Sequence, residues 1–141
     1  MEALDIALQT KMVTDTGAGK LATLSSGGIF QLTAPSTAPY PLTVWQELLD
    51  LPGYTFAALA YNSIAVQIKH LATDANTEGA SIAGQMADRC RILLTDPSLT
   101  VGGKSVLYCR FIRGVPSFAE WIENLGKTVF SKGGIFEIWL A

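Results

Sequence analysis

At 141 residues the chain has the length of one compact domain, and a formal net charge of -2 with a pI near 5.3 lacks the basic footprint that binding to nucleic acid requires. Hydrophobic residues make up 49% and charged residues 16%, against about 25% charged in an average soluble domain, so the surface is short of charge. No stretch approaches the roughly 18 consecutive apolar residues of a membrane-spanning helix, and apolar surface left over by the fold is expected to be covered by other subunits.

Glu2 and Asp5 stand where a secretory signal would place positive charge, so synthesis in the cytoplasm without export is expected. Ala3, Leu4, Ala7, Leu8 and Met12 recur at helical spacing and predict a helix over 3–13, with acids in its first turn and Lys11 near its end, as the helix dipole prefers. Gly17 and Gly19 end it, and Gly27-Gly28 precede a short strand, Ile29-Phe30-Gln31-Leu32. Residues 34–41 hold three prolines, which exclude a helix and make an extended connector.

Residues 42–48 alternate as a strand does, with Leu42, Val44, Gln46 and Leu48 on one side and Thr43, Trp45 and Glu47 on the other. Residues 64–71 repeat the pattern, Ile64, Val66 and Ile68 opposing Gln67 and Lys69, as in a sheet with one covered and one wetter face. The intervening 50–62 is too apolar for an idle loop: either it extends both strands or it contacts another subunit. Thr77 is the expected N-cap of a helix whose stripe of Ile82, Ala83, Met86, Cys90, Leu93 and Leu94 faces the core, and Asp96-Pro97 is its expected stop. A strand over 105–113 follows, with Leu107, Cys109 and Phe111 opposing Val106, Tyr108, Arg110 and Ile112. The S-x-x-E spacing at Ser117 predicts a short helix over 117–125 closed by Gly126, and Ile135-Phe136-Glu137-Ile138-Trp139-Leu140 is a terminal strand after Gly133-Gly134. The expected architecture is a single α+β domain over 1–141, a mainly antiparallel β-sheet with two main helices packed on one face.

Site chemistry is sparse. Residues 16–21, TGAGKL, imitate a phosphate loop, but Thr14 replaces its first glycine, Leu21 replaces its magnesium-binding hydroxyl, and the segment follows a helix rather than a strand. His70 is the single histidine and has no second ligand or nucleophile at useful spacing. Cys90 and Cys109 lack metal or redox spacing and read as buried thiols. No catalytic, cofactor or metal site is expected. Trp45, Trp121, Trp139, Tyr54, Tyr61 and Phe130 lack the basic stripes that accompany base stacking, and are read equally as core or protein interface.

The amino-terminal helix, the glycine-bearing segment before Ile29-Phe30, Ala38-Pro39-Tyr40-Pro41 running into a strand, Val66-Gln67-Ile68, the helix over 80–94, the turn over 99–103 and the aliphatic last strand together resemble the tail terminator (tail completion) proteins of long-tailed bacteriophages. The resemblance lies in the order of features over nearly the whole chain, Pro-Tyr-Pro before a strand and Val-Gln-Ile before a helix being the most telling. It implies a virion protein assembled in the host cytoplasm that forms a ring, usually hexameric, on the head-proximal end of the tail. Its implied partners are further copies of itself, the major tail tube protein and the head–tail connector or neck proteins, with no catalysis, no sequence-specific nucleic acid and no membrane. The apolar segment 51–63 and the insertion 115–133 depart from that pattern, and the apolar excursions within them, 51–61 and 118–130, are expected to supply contacts through Leu51, Tyr54, Phe56, Tyr61, Phe118, Trp121 and Phe130. Rival readings are a head–tail connector or other minor tail component, or a small-molecule-binding or catalytic domain with an unrecognised pocket.

Overall fold

The computed structural model describes residues 2–55, 58–73, 79–95 and 99–141. Three helices, α1 (Glu2–Val13), α2 (Leu21–Leu24) and α3 (Gly79–Thr95), accompany five strands, β1 (Ile29–Gln31), β2 (Leu42–Thr55), β3 (Ala58–Thr73), β4 (Val106–Ile122) and β5 (Lys127–Leu140). The strands form one sheet in the order β1-β2-β3-β5-β4, in which only the β1–β2 pair is parallel. The α+β class and the two long helices match the sequence reading; Thr77 and Asp96-Pro97 lie outside the described residues.

Periodicity sorts the side chains onto two faces. Ile64, Val66 and Ile68 of β3 and Phe136, Ile138 and Leu140 of β5 are buried against Leu4, Leu8 and Met12 of α1 and Ala83, Met86, Cys90 and Leu94 of α3. Leu93 is also buried and Ile82 packs at the margin, so the expected α3 stripe is core. Trp45 is fully buried, and its indole N–H donates to Gln9 Oε1 at 2.7 Å, while Gln9 Nε2 donates to the Ile29 carbonyl at 2.8 Å, fastening α1 across the β1–β2 edge. Asp15 receives two bonds from Arg89, at 2.7 and 2.9 Å, and one from the Leu21 backbone N–H at 2.8 Å, joining the α1–α2 turn to α3. The Arg89 guanidinium holds the Asp15 carboxyl below the usual carboxylate range against the opposing effect of its partial burial.

Three readings change. Residues 117–125 are not a helix: β4 runs to Ile122, and Phe118 to Ile122 pair with Ser131 to Lys127, so ladder bonds prevail over a local capping pattern. Gly126, at φ 63, closes a hairpin turn instead. Of the two alternatives left open for 50–62, strand extension is found: residues 51–55 lengthen β2 and residues 58–62 lengthen β3. β5 begins eight residues before its expected start, passing straight through Gly133-Gly134, because a Cβ on Gly133 would overlap the Ile68 carbonyl oxygen and one on Gly134 would press into the Phe111 ring. The strict alternation expected for 105–113 is broken by bulges at Leu107 and Ile112, which place Val106 on the core face with Cys109 and Phe111.

Candidate interaction surface

The helices cover one sheet face, so the functional candidates lie on the other face, on the two hairpin arms and on the strand edges. At the centre of the open face Glu137 Oε1 accepts from the Trp139 indole N–H at 2.6 Å and from Ser63 Oγ at 3.0 Å, while Oε2 takes both Arg110 donors at 2.7 and 2.9 Å. The Trp139 bond, followed by those from Arg110 and Ser63, holds the Glu137 carboxyl below its ordinary range despite some desolvation. Tyr61 stacks on Trp139 with ring centroids 4.5 Å apart, Tyr108 is tilted against Trp139 at 5.0 Å, and the Arg110 guanidinium sits 5.5 Å from the Tyr108 ring. The Glu137 carboxylate is fully engaged by Trp139, Ser63 and Arg110, and the cluster braces β3, β5 and β4 where the β2–β3 arm leaves the sheet.

The arms carry apolar surface that the domain does not cover. Leu51 and Tyr54 on the β2–β3 arm are 51% and 65% exposed, and Phe118 and Trp121 on the β4–β5 arm are 46% and 62% exposed. These four expected contact residues are available to a partner. Two others serve the monomer: Tyr61 is half-buried over Gly53 and Trp139, and Phe130 is half-buried beside Gly79 at the start of α3. Phe56 lies outside the described residues. Sequence reasoning did not assign Leu48, Leu49, Leu107 or Ile112 to this surface, yet all four are exposed; the adjacent leucines at 48 and 49, where alternation demands one polar residue, were the available signal. An open groove of about 380 Å³ is lined by Leu32, Val44, Gln67, Lys69, Phe118 and Ser131 among others.

The titratable candidates are internal. His70 is buried, and its ring bonds through Nδ1 to Thr43 Oγ1 at 2.9 Å; Thr43 Oγ1 lies 2.6 Å from Ser25 Oγ, which donates to Met86 Sδ at 3.0 Å. Because sulfur accepts the Ser25 proton, Thr43 donates to Ser25 and the His70 Nδ1–H donates to Thr43, which sets the tautomer. Burial pushes the imidazole down to about 3, leaving it neutral at physiological pH and unsuited to a base. Cys90 and Cys109 are free thiols; burial pushes Cys109 up to about 12 and Cys90 higher still, so neither supplies a thiolate. In the TGAGKL turn the Leu21 N–H is taken by Asp15 and the Gly17 N–H by Thr23 Oγ1 at 3.0 Å, so donors a phosphate would need are spent within the loop. Among the described residues no three His, Cys, Asp or Glu side chains converge on a possible metal position, and no helix is long and apolar enough to cross a membrane.

No family model matches this chain, and no curated protein matches it. Its fold is similar to that of a chain in the solved structure of the virion of a native gene transfer agent (GTA) particle, with a TM-score of 0.73 at 14% identity over 99% of this chain and 95% of that chain.

Proposed function

We propose that this protein is a non-enzymatic structural component of a phage-like virion, a tail terminator subunit that forms a ring, hexameric in the simplest case, at the head-proximal end of the tail tube. There it halts tube growth and offers a surface to the neck. The observation that carries the reading is the end-to-end likeness of its fold to a virion chain, which extends over both arms as well as the core. The uncovered apolar side chains on those arms support it, since exposed apolar surface of this kind marks contacts with other proteins. The internal bonding of His70, Glu137 and Asp15 supports a role through surfaces rather than through chemistry.

The test is light scattering over a range of concentrations with electron microscopy of the purified protein, then addition to polymerising tail tube protein. Closed rings and tubes of arrested length are the expected result. A monomer at all concentrations that leaves tube length unchanged would refute the assignment.

A further inference from the structure

The two long outer edges of the sheet face away from each other, at opposite ends of the strand order, because β1 covers β2 only at residues 43–45 and β4 has no outer neighbour among the described strands. Each edge bears exposed apolar side chains, and their charges differ in sign. Arg110 is already paired with Glu137 and Glu47 is half-buried, so the exposed charges that distinguish the edges are Asp50 along residues 46–55 of β2 and Arg113 along residues 106–119 of β4. We infer that copies of this chain associate head to tail, the β2 edge and its arm (Asp50, Leu51, Tyr54) docking on the β4 edge (Leu107, Ile112, Arg113) of the next copy; this rests on the reading of the protein as a self-assembling subunit.

A two-fold contact would set one edge against itself, bringing Asp50 toward its own copy along β2 or Arg113 toward its own copy along β4, and like charges brought together disfavour it. Joining unlike edges opposes Asp50 to Arg113 and leaves the joined pair one free edge of each kind, which is what a ring needs. The contact is made by side chains rather than by a continued backbone ladder. β2 is interrupted by a bulge at Leu48 and by Pro52, and β4 by three register shifts and Pro116, features that obstruct strand addition. The bulges have a second effect, since Leu48, Leu107 and Ile112 are among the residues they leave out of the ladder and all three are exposed.

Two full-length variants test this, each impairing one edge: Leu51→Ser with Tyr54→Ser, and Leu107→Ser with Ile112→Ser. Each alone should be monomeric at concentrations where the parent assembles, with association weakened about 30-fold or more for each anchoring side chain lost. An equimolar mixture should form one-to-one dimers and nothing larger, because one intact β2 edge meets one intact β4 edge. If either variant alone forms a dimer, the contact is two-fold and the inference fails. If both assemble like the parent, the contact lies elsewhere and the inference fails while the ring reading survives; a parent that is itself monomeric overturns both. Arg113→Glu and Asp50→Lys, both exposed, serve if the apolar variants unfold: each should weaken assembly, and their combination in one chain should restore it. No restoration would refute the pairing of these edges.

Discussion

Between pH 7 and pH 5 the unfolded chain, with histidine near its ordinary 6.5, takes up a proton that folded His70, held near 3 by burial, refuses. The unfolded state then binds more protons, so stability rises with pH: the contribution is complete above about pH 6.5 and is lost as the pH falls toward 3. The loss approaches about 1.4 kcal/mol per pH unit and amounts to about 2 kcal/mol at pH 5, a large part of a typical stability of roughly 5–15 kcal/mol. Protonation would also have to place a charge beside the Ser25–Thr43 hydroxyl pair, which is already fully used. Urea unfolding followed by tryptophan fluorescence at pH 7, 6 and 5 measures this directly, since Trp45 is buried in the same core. His70→Asn is the control, because its amide can keep a donor near the Nδ1 position without titrating. The parent should lose about 2 kcal/mol over that interval and the variant only what the shared carboxylates contribute. Equal losses in both proteins would refute the assignment of a buried neutral histidine.

Met86→Ala should cost about 2–5 kcal/mol in the same assay, because Met86 is fully buried between α3 and the sheet; a change below about 0.5 kcal/mol would place it outside the core. Gly133→Ala should lower the melting temperature sharply, since the new methyl group meets the Ile68 carbonyl of the neighbouring strand, whereas Gly102→Ala, with open space around its Cα and no left-handed φ, should change it little. Tyr61→Ala should lower the melting temperature by removing the cover on Gly53 and the stack on Trp139, while Tyr54→Ser should leave melting unchanged and affect assembly alone; the reverse pattern would exchange their roles. Glu137→Ala should destabilise the open face by leaving Trp139, Ser63 and Arg110 without their acceptor, and its carboxyl, lowered in the folded state, makes that contribution one present above the ordinary Glu range and lost in acid, as paired melts at pH 7 and pH 4 would show.

What the sequence by itself determined is the part of the molecule governed by period and solvent. The α1 and α3 stripes, the alternation of β3 about Ile64, Val66 and Ile68, and the core face of β5 all follow from which residues water excludes at a spacing of 3.6 or 2. The lack of the fixed spacings that metal and nucleophile motifs need is likewise a property of the sequence alone. Only the tertiary structure decided the lengths of the strands, the faces of β4 and which aromatics are free. Gly133-Gly134 read as a break because local propensity registers a missing side chain and not the neighbouring backbone that requires it. Ser117 read as a helix cap because its competing partner, the ladder to β5, is contributed by residues 127–131 across a turn. Tyr61 and Tyr54 are chemically the same residue seven positions apart on one hairpin, and Trp139, some eighty positions along the chain, is what makes one of them a brace and leaves the other exposed. Bulges and long-range partners of this kind are set by contacts between distant segments, and a window along the chain contains only one side of each.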